Sequence, residues 1–145
     1  MSEPVQIGRR EFVARSAMGL GALMVAACQA GVDTAPLSGS VVVSIANHPA
    51  LATTGGIVRV TESSTPIALE RTGATTFVAY SLICPHQGNT VEVISSSASS
   101  AVPFECPVHG ARFNAAGSNV GGQPSGSLSR YTAVYDSATN SVTIS

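Results

Sequence analysis

The sequence is poor in charge and in several residue types. Its 145 residues include no Lys and no Trp, and Asp, Glu, Lys and Arg together make up only 10%. The formal net charge is −1, so the composition does not favour a nucleic-acid partner, which needs a basic surface. The hydrophobic fraction of 44% is ordinary for a globular protein. Length and composition predict one compact domain with a near-neutral surface rich in Ser and Thr.

The chain also lacks a hydrophobic run long enough to span a membrane. The apolar stretch at residues 17–27 has 11 residues, whereas a spanning helix needs roughly 20. It follows Arg9 and Arg10 and ends in small residues, which is the order found in export signals. We therefore predict a cleaved signal over residues 1–27, and an uncleaved anchor is the second interpretation.

Two details refine the predicted signal. Residues 8–13 (Gly-Arg-Arg-Glu-Phe-Val) resemble the twin-arginine export motif, with Gly8 where Ser or Thr is usual. Residues 25–28 (Val-Ala-Ala-Cys) resemble a lipobox, which predicts lipidation of Cys28 and a tether over 28–38. A basic flank of a general secretory signal, and a small apolar residue at position 28, are the alternatives.

Residues 39–145 show no helical period and no internal repeat. Short β-branched segments alternate with turns every 8–12 residues, which is typical of an all-β sandwich or barrel. The predicted extended segments are 39–46, 57–61, 67–70, 76–82, 90–94, 102–105, 111–114, 128–135 and 141–144.

Two of the three His residues stand beside two of the three Cys residues. Cys84 and His86 have one residue between them, and Cys106 and His109 have two. Each pair follows apolar strand residues and precedes a Gly, so the four side chains are predicted on loops held by a sheet. Thiolate and imidazole both ligate the iron of iron–sulfur clusters, and each loop could supply one ligand to each of two irons.

Three other interpretations use the same residues. A disulfide between Cys84 and Cys106 would leave both His side chains without a role. A zinc site could take all four side chains, although one residue between Cys and His is an unusual zinc spacing. Both His residues could be structural, but they lie in loops rich in Gly and Pro. His48 has no nearby Cys and is predicted to be a turn residue.

The two loops resemble the cluster loops of the Rieske iron–sulfur family. The matching segments read Cys-Pro-His-Gln-Gly at 84–88 and Cys-Pro-Val-His-Gly-Ala-Arg-Phe-Asn at 106–114. Gly-Gln-Pro at 122–124 resembles the family's proline loop, in which Pro124 would shield the cluster. The resemblance implies an all-β, Rieske-type antiparallel β-sandwich over 39–145, with a small subdomain that binds one [2Fe–2S] cluster. The implied ligands are Cys84, His86, Cys106 and His109.

The sequence departs from the quinol-oxidising members of this family. Their inter-loop disulfide would fall on Asn89 and Val108, and their Ser and Tyr donors to cluster sulfur would fall on Ala111 and Phe113. Neither Ala nor Phe can donate a hydrogen bond, which implies a potential in the lower half of the range of about −150 to +300 mV. Gln87 replaces an apolar Leu, so direct quinol oxidation is not expected.

The loops are more similar to Rieske ferredoxins and to the Rieske domains of ring-hydroxylating oxygenases. The chain is short for an oxygenase, and no site of two His and one carboxylate is visible. We predict that the protein transfers one electron outside the cytoplasmic membrane of a bacterium and is not catalytic alone. Its partner would be a redox protein or a quinol-linked complex. The twin-arginine route carries folded proteins, which suits a cluster assembled in the cytoplasm. The alternatives are an accessory subunit of a periplasmic oxidoreductase, of the cytochrome bc or arsenite-oxidase type, and a structural zinc module.

Overall fold

A computed structural model describes residues 37–145 of the protein. That part of the chain forms eleven strands and two short 3₁₀ helices, and it contains no α-helix, which confirms the predicted all-β class. None of its helical turns has the length and apolar character that crossing a membrane requires. The strands are β1 (Val41–Ser44), β2 (Ile57–Arg59), β3 (Ile67–Arg71), β4 (Phe77–Ser81), β5 (Glu92–Val93), β6 (Phe104–Cys106), β7 (Ala111–Phe113), β8 (Asn119–Gly121), β9 (Arg130–Tyr131), β10 (Ala133–Asp136) and β11 (Ser141–Ile144).

The strands form three antiparallel sheets. The outer sheet has the order β1-β11-β10, the middle sheet β2-β3-β4-β9, and the loop sheet β5-β6-β7-β8. Successive side chains of a strand point to opposite faces. Phe77 and Ala79 of β4 therefore enter a core shared with the outer sheet, whereas Tyr80 enters a second core shared with the loop sheet. Both Cys84 and Cys106 belong to that second core, so the packing of the loop sheet positions them.

The segment 128–135 was predicted as one strand, and this prediction is wrong. It forms β9 in the middle sheet and β10 in the outer sheet, with Thr132 between them. The backbones of Thr132 and Ser145 exchange two hydrogen bonds of 2.9 and 3.0 Å. The alternating pattern continues through the segment, but the strand that it pairs with changes at Thr132.

The end of β1 also differs from the prediction. Instead of extending to residue 46, the chain turns into two 3₁₀ helices, Ile45–Asn47 and Pro49–Ala52. The guanidinium group of Arg71 donates to the carbonyl oxygens of Leu51 and Ala52 at 2.9 and 3.2 Å and so holds the second helix. His48 lies between the two helices, and its ring contacts a Glu62 carboxylate oxygen at 2.9 Å. His48 therefore has a turn position and a local partner.

Candidate metal centre

The two predicted ligand loops have the same backbone construction. In each, the Cys carbonyl oxygen accepts a hydrogen bond from the Gly four residues later, at 2.7 Å from Gly88 to Cys84 and 2.9 Å from Gly110 to Cys106. Gly88 has a φ of 73° and Gly110 has a φ of 69°. Residues with a Cβ rarely adopt such values. A tight turn therefore follows each Cys, and each turn carries its His.

The sheets fix the ends of these loops. The Cys84 N–H donates to the Asn89 carbonyl oxygen at 2.7 Å, next to a bridge between Ile83 and Thr90. The second loop joins β6 to β7, where Cys106 pairs with Ala111. Both loops are thus hairpin ends rather than free segments, and the structure agrees with ligands positioned by a sheet.

The two thiols are buried together. Cys84 and Cys106 are each 1% exposed, and neither is in a disulfide. Burial raises the pKa of the Cys84 thiol, and the neighbouring Cys106 thiol raises it further. The backbone N–H groups of His86 and Gln87 donate towards the Cys84 sulfur and so lower this pKa. Two adjacent thiols in an apolar core need a bound cation to remain together as thiolates.

The two imidazole rings meet at the surface. The rings of His86 and His109 lie edge to face, with centroids 4.9 Å apart and an angle of 86° between their planes. His109 is exposed and His86 is partly buried. The loops therefore present one pair of candidate nitrogen donors near solvent and one pair of candidate sulfur donors in the core.

This arrangement in pairs fits a cluster of two irons. Within residues 37–145, no three Cys, His, Asp or Glu side chains are grouped as ligands of one ion. A Rieske cluster requires two thiolates on one iron and two imidazoles on the other, with sulfide between the irons. The donor set of thiolate and imidazole is also the one that iron–sulfur chemistry uses. The residues present therefore fit a [2Fe–2S] cluster of this kind.

A third segment, residues 122–126, lies close to both predicted ligand loops. A Cβ on Gly122, which has a φ of 69°, would lie 1.5 Å from the Gly110 carbonyl oxygen. A Cβ on Gly126 would lie 3.6 Å from the Cβ of Pro85. Pro124, predicted to shield the cluster, is in the middle of this segment and is exposed. Glycine at position 122 permits the close approach of two backbones.

The side-chain amide of Asn119 holds this segment, and sequence reasoning missed it. Its nitrogen lies 3.4 and 3.3 Å from the carbonyl oxygens of Gly121 and Gln123 and 3.3 Å from that of Arg112, and its two N–H groups are shared among the three oxygens. No motif marks Asn119, because its role depends on a turn in which all three carbonyls converge.

The positions predicted to lack donors lie in the core beside the cysteines. Ala111 and Phe113 are both fully buried on β7. Val108 is 55% exposed in the second loop, where the quinol-oxidising members have a disulfide. The predicted lipidation site Cys28 and the predicted signal lie outside the described residues.

An all-β domain whose loops bring two buried thiols and two imidazoles together fits an iron–sulfur protein with a role in electron transfer. The sequence comparison agrees, since residues 42–132 match the model of the Rieske [2Fe-2S] domain. The chain belongs to the Rieske family, whose domain binds one [2Fe–2S] cluster. No curated protein matches the chain in sequence.

The solved structures that are similar to this chain include the following two. The cyanobacterial plasma membrane Rieske protein PetC3 from Synechocystis PCC 6803 is 22% identical with a TM-score of 0.54, and the match covers 74% of this chain and 99% of that one. This similarity shows the Rieske fold. The quaternary ammonium Rieske monooxygenase CntA, in complex with the inhibitor MMV12, is 21% identical with a TM-score of 0.48, and the match covers 66% of this chain and 29% of that one.

Proposed function

We propose that this chain is an exported one-electron carrier, anchored by a lipid on Cys28 to the outer side of a bacterial cytoplasmic membrane. Cys84 and Cys106 would hold one iron of its cluster, and His86 and His109 the other. The observation that carries the electron-transfer role is the pair of buried thiols next to a pair of imidazoles. The signal-like sequence of residues 9–28 supports the export and the anchor. The bound [2Fe–2S] cluster supplies the capacity to take up and release one electron.

The residues of this chain give the site its two sides. The second core excludes water from the thiol side, where the electrostatic influence of nearby dipoles is strong. The N–H groups of His86 and Gln87 stabilise negative charge on the Cys84 sulfur. On the other side, the exposed ring of His109 brings a ligand to the surface, where a partner can approach.

A redox titration followed by electron paramagnetic resonance tests this function. We expect a Rieske signal and a midpoint in the lower half of the range of about −150 to +300 mV. The reason is that Ala111 and Phe113 offer no side-chain donor that would stabilise the added electron. A midpoint above about +200 mV, near the top of the family range, would contradict the expectation.

Adding donors at these two positions should raise the potential. Ala111→Ser and Phe113→Tyr each place a hydroxyl at a fully buried position in the core that holds both cysteines. A hydrogen bond worth about 0.5–1.5 kcal/mol more in the reduced state corresponds to about 20–60 mV for one electron. Phe77→Tyr is the control, because Phe77 lies in the other core. The hydroxyl that this substitution adds should leave the midpoint potential unchanged.

The anchor is testable separately from the cluster. The motif at residues 25–28 supports lipidation, and bacterial lipid anchors bind membranes through more than one acyl chain. We expect Cys28→Ser to move the protein from the membrane fraction to the soluble fraction and to remove the lipid mass from its N-terminal peptide. Unchanged membrane association, with no lipid on the wild-type peptide, would rule out this anchor.

A further inference from the structure

Three segments at the cluster end form one continuous surface. The imidazole rings join the first and second, and two glycine backbones join the second and third. The third also lies close to the first, since a Cβ added at Gly126 would be 3.6 Å from the Pro85 Cβ. We call this surface the loop tip. It consists of residues 84–89, 106–111 and 122–126.

The loop tip carries no Asp, Glu, Lys or Arg, although nine such residues occur within 37–145. The absence extends well beyond the tip, because residues 72–91 and 113–129 also contain none. The two charges that flank the second loop, Glu105 and Arg112, pair with each other at 3.0 Å. A partner that approaches this end therefore meets no unpaired charged side chain within the loop tip.

The exposed side chains of the loop tip are mainly apolar. Pro85, Pro107 and Pro124 are exposed, and Val108 is 55% exposed directly before His109. A β-branched aliphatic side chain at a loop apex is exposed to water, and burying it against an apolar surface lowers the free energy. Val108 thus offers an apolar contact immediately beside a predicted iron ligand.

We propose that the loop tip docks a redox protein whose own surface around its cofactor is apolar and uncharged, with Val108 at the centre of the contact. This inference rests on the proposed electron-transfer function and specifies its partner. A charged partner surface would lose water on contact and would gain no counter-charge from the side chains of the loop tip, which disfavours it.

The test uses two oxidants of equal charge and different surface. Tris(phenanthroline)cobalt(III) presents apolar aromatic edges, and hexaammineruthenium(III) presents only polar ammines. Stopped-flow absorbance follows oxidation of the reduced, cluster-loaded protein by each. We expect Val108→Ser to slow the phenanthroline reaction about 3- to 10-fold, since it removes one aliphatic contact, and to leave the ammine reaction unchanged.

Val134→Ser is the matched control, because Val134 is 60% exposed but lies on β10 in the outer sheet. It should change neither rate. Equilibrium binding of the redox-inert tris(phenanthroline)ruthenium(II) cation, measured by its luminescence, gives a second readout. Val108→Ser should weaken that binding by a similar factor, and Val134→Ser should not.

The possible outcomes separate this inference from the proposed function. If Val108→Ser slows both oxidants equally, or neither, the loop tip is not an apolar docking surface. If the wild-type protein oxidises a soluble short-chain quinol and Val108→Ser slows that reaction, the tip is a quinol site and the protein partner is refuted. If the wild-type protein shows no [2Fe–2S] resonance, the electron-transfer function fails, while the binding titration still reports on the loop tip.

Discussion

The Cys106→Ser protein is expected to contain no [2Fe–2S] cluster. Cys106 is 1% exposed at the end of β6, beside Cys84. A serine hydroxyl stays protonated at neutral pH and is a hard oxygen donor, whereas iron in these clusters takes soft thiolates. Iron and acid-labile sulfide should fall to background, and the resonance of the reduced protein should disappear.

Cys28→Ser is the matched control for this experiment. It makes the same chemical change at Cys28, the one cysteine of the sequence that lies outside the predicted ligand loops. We expect it to keep full iron, sulfide and resonance while it loses the anchor. A full Rieske signal in Cys106→Ser would show that Cys106 is not a ligand. Wild-type protein with one zinc and no sulfide would favour the structural zinc module.

Gly122→Ala should destabilise the cluster end strongly, although residue 122 is not a ligand. The added Cβ would lie 1.5 Å from the Gly110 carbonyl oxygen, and the φ of 69° is itself unfavourable for alanine. The segment 122–126 must then move away from the second ligand loop. We expect a loss of at least about 2 kcal/mol, which for a domain of this size lowers the unfolding midpoint by about 10 °C.

Gly121→Ala provides the comparison for this substitution. Position 121 is adjacent in β8, but a Cβ there would meet nothing within 4 Å and its φ is not in the left-handed region. Its unfolding midpoint and the lifetime of its cluster absorbance in air should match those of the wild type. If both variants lost the same stability, the cause would be a general intolerance of β8 rather than the contact with Gly110.

Most of the strand content could be predicted from local pattern. The β-branched alternation at 57–61 and 76–82 became β2 and β4, because period-2 patterning directly reflects two faces of a sheet. The strand at Asn119–Gly121 was missed, since its sequence Asn-Val-Gly has little β preference and its pairing with β7 supplies the stabilisation. Local propensity also could not show that 128–135 changes sheets at Thr132.

The sequence by itself determined the chemistry of the site. The spacing of Cys84 from His86, and of Cys106 from His109, places each thiol and imidazole in one short turn. Neighbours within a turn are fixed by local geometry, so the donor types and their division between two loops follow from the sequence alone. The left-handed conformation of Gly88 and Gly110, which closes each turn, was seen only in the structure.

Only the tertiary structure decided how the loops meet. The thiols became buried together, and the imidazoles met edge to face, because the middle sheet and the loop sheet pack around the second core. The contact of Gly122 with Gly110 and the anchoring by Asn119 likewise join segments that no local pattern connects. Such contacts depend on which strands pair and which faces are buried, so the four predicted ligands come together only when the sheets assemble.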